Sequence, residues 1–200
     1  VGGETMSREG LKSLFPMVEL SVMGIAEILP QAFLLMRRMR ETARDIRRVQ
    51  PDVVVTVDAP AFCFGVLKRL GNFPVRKIHY VAPSVWAWRP GRVHKFARVF
   101  DHLMALLPFE PPYFEREGLA CTFVGDPVLE GGADAGNGTA FRAAHGIDAG
   151  ATAICVLPGS RRGELRKLAG VFREAAISIV ERHPDAVFVF PTVSYLKHHV

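Results

Sequence analysis

Residues 152–164 read Thr-Ala-Ile-Cys-Val-Leu-Pro-Gly-Ser-Arg-Arg-Gly-Glu, an apolar run followed by a Pro-Gly-Ser turn and a charged segment. The apolar residues are consecutive rather than alternating, which is typical of a parallel strand covered on both faces. The segment Gly163–Arg182 that follows has apolar residues at helical spacing. A strand that leads through a tight turn into a helix is the repeating unit of parallel α/β folds.

Short apolar runs and longer stretches of helical spacing alternate in the same way along the rest of the chain. The sequence therefore predicts an α/β fold of the doubly wound type, in which helices join parallel strands. The predicted strands are residues 52–57, 75–81, 102–107, 121–124, 152–157 and 186–190.

One segment breaks the alternation. Residues 130–139 hold four glycines and few bulky apolar side chains, which is typical of a linker between domains. We therefore predict a first domain over residues 1–127, a linker over 128–138 and the start of a second domain over 139–200. The chain opens without an initiator methionine and ends soon after a predicted strand, which predicts a fragment of a longer protein.

The composition limits the class of protein. With 200 residues, 49% hydrophobic and 22% charged, the chain is neither intrinsically disordered nor collagen-like. Its formal charge of +5 favours an anionic partner, but three segments (residues 37–48, 89–98 and 161–167) carry the excess and the remainder is net negative. The cysteines are widely separated, which fits a reducing cytoplasm, and the histidines share no ligand spacing, so no metal site is predicted.

The turn within residues 152–164 has the features of a phosphate-binding loop. Gly159 lets the backbone approach an anion, and the helix that follows offers free N–H groups and the positive end of its dipole. Ser160 adds a hydroxyl donor, and Arg161 can clamp a diphosphate. The alternative is that Ser160 only caps the helix and the arginines are merely exposed.

Asp58 directly follows the predicted strand 52–57. Ligands of open α/β sheets bind at the carboxyl ends of the strands, so this carboxylate is placed to act as a general base on a hydroxyl group. The alternative is helix capping, because Asp58 and Ala59 precede Pro60, which suits the first turn of a helix.

Both tryptophans lie between a predicted strand and a basic helix. Trp86 and Trp88, together with Ser84 and Arg89, can line a pocket for a sugar or an acyl chain. Ordinary packing between domains is the alternative.

The segment 22–48 begins with large aliphatic side chains and continues with a row of arginines. This pattern is typical of an element on a membrane surface, where apolar groups enter the headgroup region and cations meet anionic lipid. No run reaches the ~18 uncharged apolar residues of a membrane span. The alternative is a helix packed on the core through one apolar stripe: Ala32, Leu35, Met39, Ala43 and Ile46.

Six segments form a larger pattern: Leu14–Met17, Glu19–Glu27, Val57–Pro60, His79–Arg89, Leu107–Glu110 and Leu157–Arg161. In this order they resemble the lipid A disaccharide synthases. The resemblance runs through most of the chain, and Trp86-Ala87-Trp88 is its most specific part.

The resemblance implies two Rossmann-like domains with parallel sheets, the GT-B architecture, both incomplete in this chain. It implies a glycosyltransferase of lipid A biosynthesis that joins UDP-2,3-diacylglucosamine to 2,3-diacylglucosamine 1-phosphate with inversion. The products are a β-1,6-linked disaccharide phosphate and UDP, and no cofactor or metal ion is required. The enzyme would be peripheral on the cytoplasmic face of the inner membrane of a Gram-negative bacterium, without a nucleic-acid partner; a homodimer is compatible with the family.

The resemblance also implies residue roles. Asp58 would be the base on the acceptor 6-hydroxyl, and Arg161 would bind the donor diphosphate or its developing charge, with Gly159 and Ser160 in the same loop. It favours the membrane interpretation of the arginine-rich segment, with contacts from six residues: Ala26, Ile28, Leu29, Ala32, Leu35 and Met36.

Two positions depart from the family pattern. Ala61 stands where a second aspartate is usual, and Asp126 stands where Gly-His-Pro is usual. A carboxylate near a diphosphate would oppose its binding. The family's first strand and most of its second domain, with the uridine pocket, would lie outside these residues, so the chain alone is expected to be inactive.

Two rival interpretations stay open. One is another UDP-sugar enzyme of the same architecture, either a peptidoglycan glycosyltransferase or an epimerase, and the Trp-Ala-Trp segment argues against it. The other is a non-enzymatic module that binds nucleic acid or another polyanion. The lack of nucleic-acid motifs and the placement of the basic segments on separate elements argue against that module.

Overall fold

The computed structural model describes residues 1–20, 25–87, 90–132 and 134–198, with the backbone alone over 25–30. Its strands are β1 (Val53–Val57), β2 (Arg76–Tyr80), β3 (His102–Ala105), β4 (Ala120–Phe123), β5 (Ala153–Cys155) and β6 (Val187–Val189). Its helices are α1 (Glu4–Arg8), α2 (Ile25–Val49), α3 (Pro60–Leu70), α4 (Val93–Ala97), α5 (Pro111–Glu115), α6 (Pro127–Glu130), α7 (Gly138–His145) and α8 (Arg162–Arg182). Short 3-10 turns lie at Met17–Leu20, Pro90–Arg92 and Ser194–Leu196.

Each of the six predicted strands is present, with ends that differ from the prediction by at most two residues. The strands form a four-stranded sheet in the order β1-β2-β3-β4 and a two-stranded sheet of β5 and β6, and every pairing is parallel. The predicted parallel α/β class is therefore confirmed.

The four-stranded sheet brings its carboxyl ends to one edge. Val57 is in register with Tyr80, and Tyr80 with Met104, so the segments that follow β1, β2 and β3 leave the sheet side by side. Parallel strands joined by crossovers always share this geometry, and it places residues distant in sequence around a common edge.

One face of this sheet carries the core. Leu103 and Ala105 of β3 are fully buried, and they belong to an apolar cluster with Leu67 of α3, Phe96 of α4 and Phe114 of α5. Helix α2 joins the cluster through a stripe of three residues: Met39, Ala43 and Ile46. These are three of the five stripe residues expected for a helix packed on the core, and the other two, Ala32 and Leu35, are partly buried outside the cluster.

The other face is open at β1. Val53, Val55 and Val57 are 45%, 56% and 47% exposed, and they alternate with the more buried Val54 and Thr56. The expectation that consecutive apolar residues mean a strand covered on both faces is wrong for β1 in the described chain. Right-handed crossovers that all advance in one direction place their helices on the same face of a sheet, which accounts for the difference.

The chain divides into two compact units, one of Val1–Ser21 with Ile28–Ala133 and one of Val22–Glu27 with Asp134–Val200. The second unit contains α7, the β5-β6 pair and α8. Helix α7 begins where the Asn137 side chain accepts a hydrogen bond from the Ala140 amide (2.9 Å) and ends at Gly146, whose φ is +63°. The core of this unit is small: its buried apolar side chains, among the described residues, are Pro158, Leu165 and Leu196.

Candidate active site

Asp58 lies at the carboxyl end of β1, as the sequence predicts. Its amide donates a hydrogen bond to the Tyr80 carbonyl (3.0 Å), which fixes its backbone to β2, and its side chain is exposed. Helix α3 begins at Pro60 with Ala59 as its N-cap residue, and no side chain caps it in this described part of the chain. The capping alternative for Asp58 is therefore not what the structure adopts, and the carboxylate faces solvent.

Three non-glycine residues at the same edge of the sheet have a left-handed backbone conformation. Asp58 and Ala59 have φ values of 49° and 45°, and Val81, the residue after β2, has a φ of 73°. The left-handed region costs a non-glycine residue about 1 to 3 kcal/mol, and it is a strong outlier for a β-branched valine. Such strain persists only where the surrounding structure enforces it, and it is concentrated at functional sites.

A buried polar group lies in the strand next to the one that Asp58 follows. His79 of β2 is fully buried, and its Nδ1 lies 2.8 Å from Thr56 Oγ1, which itself donates to the Ile78 carbonyl (3.1 Å). Because the Thr56 hydroxyl donates its proton to the Ile78 carbonyl, its oxygen accepts a hydrogen bond from His79 Nδ1–H. His79 Nε2 is then a bare acceptor, without a partner among the described residues.

Burial controls protonation in this layer. It lowers the pKa of His79 to about 4, with Asp58 opposing the shift, so the imidazole is neutral near pH 7. It raises the pKa of the nearby Cys63 thiol to about 11, and that thiol donates to the Asp58 carbonyl (3.2 Å). A protonated thiol is a poor nucleophile, so the exposed carboxylate is the better candidate for chemistry.

The tryptophan loop leaves the sheet after β2. Ser84 and Trp86 are exposed there, and Trp88 and Arg89, the other two predicted contacts, lie outside the described residues. The Trp86 indole donates to Glu110 Oε1 (3.1 Å), and its ring meets that of Phe109 edge-on at 5.1 Å. Glu110 ends one of the six segments of the family pattern, but the sequence assigned it no role, since an acid between Phe109 and Pro111 has no local signature of a buried partner.

The predicted phosphate loop lies in the second unit, between β5 and α8. Gly159 has a φ of +100°, and a Cβ at this position would collide with the Glu164 carboxylate. Glu164 Oε2 accepts from the Ser160 amide (3.0 Å), and its Oε1 pairs with Arg161 Nη1 (2.6 Å). The hydrogen bond from Arg161 holds the pKa of Glu164 below its ordinary value.

The helix-capping alternative for Ser160 also differs from the structure. The N-cap residue of α8 is Arg161, whose side chain makes no capping hydrogen bond, and Glu164 reaches back over the first turn instead. Tyr195, which follows β6, donates its hydroxyl to the Ser160 carbonyl and ties the loop to the neighbouring strand end. The loop thus holds two N–H donors, the Ser160 amide and the Arg161 guanidinium, and both donate to the Glu164 carboxylate.

Helix α2 has an exposed face opposite its packed stripe. Phe33 is 86% exposed, and Arg37, Arg40 and Arg44 are exposed at successive helical spacings from it. Of the six predicted membrane contacts, Ala32, Leu35 and Met36 are partly buried; Ala26, Ile28 and Leu29 fall where side chains lie outside the description. Within the described ranges, every helix is too short or too polar to cross a bilayer.

The two departures from the family pattern have different structural settings. Asp126 is the N-cap residue of α6, and its side chain accepts from the Val128 amide (3.0 Å). This carboxylate therefore has a local structural use. Ala61 lies exposed in the first turn of α3.

A family model described as lipid-A-disaccharide synthetase matches residues 1–199 of the chain. The lipid-A-disaccharide synthase of Rhodospirillum centenum is 54% identical over 195 residues, which are 96% of this chain and 49% of that protein. The synthase of Ruegeria pomeroyi is 49% identical over 100% of this chain and 50% of its own length. That of Pseudomonas aeruginosa is 40% identical over 97% of this chain and 51% of its own length. The chain thus spans about half the length of the curated relatives it matches.

Proposed function

Because this chain belongs to the lipid-A-disaccharide synthetase family, we propose that the protein carrying it is a glycosyltransferase of lipid A biosynthesis. Its donor is UDP-2,3-diacylglucosamine, its acceptor is 2,3-diacylglucosamine 1-phosphate, and its products are a β-1,6-linked disaccharide 1-phosphate and UDP. At the site, the proposal rests on Asp58, an exposed carboxylate at the carboxyl edge of a parallel sheet with strained backbone and no capping role.

Asp58 is the general base of this reaction. It accepts the proton of the acceptor 6-hydroxyl as that oxygen attacks the anomeric carbon of the donor. The bond from the anomeric carbon to the diphosphate oxygen breaks on the opposite face, its electron pair leaves with UDP, and the configuration inverts. The protein supplies a base and positioned charges, and the acceptor oxygen is the nucleophile.

The leaving diphosphate binds at Gly159–Arg161 in this proposal. The Ser160 amide and the Arg161 guanidinium are N–H donors at the start of α8, and both bind the Glu164 carboxylate. The binding of the Glu164 carboxylate to these donors supports the proposal of an anion site here, because the same N–H groups and helix dipole would stabilise a phosphate as well. The diphosphate would displace Glu164 from Arg161 and take over its hydrogen bonds.

We extend the proposal to the architecture. Residues 1–127 form an acceptor-side Rossmann-like domain, residues 128–138 a linker, and residues 139–200 the start of a nucleotide-sugar domain, as in a GT-B enzyme. The division of the chain after Ala133, within the glycine-rich segment, supports this assignment. Ser84 and Trp86, with Trp88 and Arg89, belong to the acceptor side.

We also propose that the protein binds the inner-membrane surface from the cytoplasm. Besides the six residues carried over by motif, the exposed face of Phe33, Arg37, Arg40 and Arg44 supports this contact. An aromatic ring can enter the headgroup region while the arginines meet anionic lipid.

Replacing Asp58 with Asn tests the chemical role. In the full-length protein that carries this chain, Asp58→Asn should lower kcat by ~10²- to 10⁴-fold, because the base is lost. Arg161→Ala should also lose most turnover. The measurement is UDP release from diacylated donor with diacylated acceptor, alongside circular dichroism to verify the fold.

Asp52 supplies a matched control, since it is an exposed aspartate just before the amino end of the same strand. Asp52→Asn should leave kcat unchanged. Near-normal turnover in folded Asp58→Asn would remove Asp58 from the mechanism. A wild-type protein that uses plain UDP-N-acetylglucosamine as well as the diacylated donor would favour another UDP-sugar enzyme.

A further inference from the structure

Glu110 is a buried carboxylate that the proposed mechanism does not use. Glu110 is 3% exposed, and among the described residues the buried polar side chains are those of Glu110 and His79. Glu110 stands at the N-cap position of α5 but makes no capping hydrogen bond there. Its Oε1 accepts from Trp86 Nε1 (3.1 Å), and its Oε2 accepts from the Leu107 amide (3.0 Å).

The ring that Glu110 holds is not itself buried. Trp86 is 42% exposed, and Phe109, which meets it edge-on, is 47% exposed. Burying a carboxylate is costly unless its oxygens are hydrogen-bonded, and a core tryptophan would not need such an anchor to stay in place. A buried charge that anchors an exposed ring is better explained by a need to fix the orientation of that ring.

The anchored ring belongs to the same edge of the sheet as Asp58. Trp86 follows β2 and Phe109 follows β3, while Asp58 follows β1 and donates its amide to Tyr80 of β2. Glu110 thus connects the loops after β2 and β3 at the edge where parallel sheets bind ligands.

We infer that Glu110 is a positioning residue that fixes Trp86 against Phe109 as a contact surface for the acceptor glycolipid. This inference rests on the proposed function, which places the acceptor hydroxyl at Asp58. Glu110 touches no substrate itself and acts through the indole. The aromatic pair offers an apolar surface and the indole supplies a fixed edge, a combination suited to a ring or chain that carries both polar and apolar atoms.

The test is a double-mutant cycle in the full-length protein. Glu110→Gln keeps the shape but places an amide nitrogen against one of the two N–H donors, and Trp86→Phe removes the indole N–H while keeping a ring. Each single variant should raise the acceptor KM about tenfold, the usual effect of losing a hydrogen bond to a charged group, and leave the donor KM unchanged. The double variant should be no worse than either single variant, because both remove the same interaction.

The matched control is Glu115→Gln, an exposed acid on α5, which should leave both KM values unchanged. Additive effects in the cycle, an unchanged acceptor KM, or an equal rise in both KM values would overturn the inference. A wild-type protein that turns over neither substrate would instead refute the proposed function.

A second readout does not depend on turnover. With 15N-labelled tryptophan, the indole N–H resonance of Trp86 is identified by its absence in Trp86→Phe. It should shift in Glu110→Gln and on addition of the acceptor to the wild type. Where Glu110→Gln fails to fold, acceptor titration of the wild-type resonance decides: a resonance that does not move on saturation refutes the inference.

Discussion

At the residue scale, the chemistry depends on which groups keep a charge. Asp58 is exposed at the sheet edge, whereas His79 of the neighbouring strand is buried and neutral near pH 7. Asp58 has a backbone in the left-handed region, and its carbonyl accepts a hydrogen bond from the Cys63 thiol. Because the imidazole of His79 is neutral near pH 7 and the thiol of Cys63 stays protonated, the exposed carboxylate of Asp58 is the candidate for the chemistry at this edge.

His79 should make stability depend on pH. Burial lowers its pKa from 6.5 to about 4, so between these values the unfolded chain binds a proton that the folded chain does not. Stability is then full above pH 6.5 and falls as the pH drops towards 4, by at most about 1.4 kcal/mol per pH unit. Urea unfolding of the full-length protein at pH 5 to 7 measures this slope.

His79→Gln is the reference variant, because its amide can still donate to Thr56 but does not titrate. Its unfolding free energy should depend less on pH than that of the wild type over the same range. If the two proteins have the same slope, His79 is not neutral in the folded state or does not dominate the titration.

At the scale of elements, α2 shows how one helix serves two surfaces. Met39, Ala43 and Ile46 pack on the core, and the opposite face carries Phe33 and exposed arginines. Arg38 belongs to neither face: it pairs with Glu19 at 2.7 Å and 3.0 Å and with Glu41 at 2.7 Å. The packed stripe and the exposed arginines therefore lie on different sides of one helix, whereas Ala32 and Leu35, which both interpretations of the sequence name, are partly buried.

Vesicle binding tests the exposed face of α2. Replacing Arg37, Arg40 and Arg44 with Gln should weaken binding of the full-length protein to anionic vesicles roughly a hundredfold, at about 1 kcal/mol for each cation near the surface. Phe33→Ser should weaken it further by removing apolar burial. Cosedimentation with phosphatidylglycerol vesicles at two salt concentrations measures both effects.

Arg116→Gln, an exposed arginine just after α5, is the control and should not change binding. Unchanged cosedimentation of the triple variant would exclude this face as the lipid contact. Equal losses in the triple variant and in Arg116→Gln would mean that net charge, rather than this face, attracts the protein to the vesicles.

Local pattern predicted the elements well but not the contacts between them. All six strands could be predicted because apolar runs and turns are local features, and Asp58 was found because it follows such a run. The open face at Val53, Val55 and Val57 was missed, since coverage depends on the direction in which the crossovers advance. Glu110 and Glu164 lie in segments of the predicted pattern, but their roles were missed for a related reason: their partners, Trp86 and the Ser160 amide, are set by tertiary contact or by loop geometry.

At the scale of the whole molecule, the two units differ in how much apolar surface they bury. The first contains a four-stranded sheet and nearly all of the fully buried side chains described, whereas the second has two three-residue strands and buried Pro158, Leu165 and Leu196. Helix α8 leaves Val171 and Ile177 more than half exposed. Since burial of apolar surface is the main favourable term in folding, the second unit should be the less stable one by itself.

Hydrogen exchange of the 200-residue chain tests this difference. Backbone amides of β2 and β3 lie inside the four-stranded sheet, with a paired strand on each side. They should therefore exchange only when the whole first unit unfolds. Amides of β5, β6 and α8 should exchange faster by at least tenfold, since their opening exposes little buried surface. Their protection should also respond less to urea, because that sensitivity scales with the surface exposed. Equal protection and equal urea sensitivity in both sets would mean that the chain unfolds as one cooperative unit, against the ranking drawn from burial.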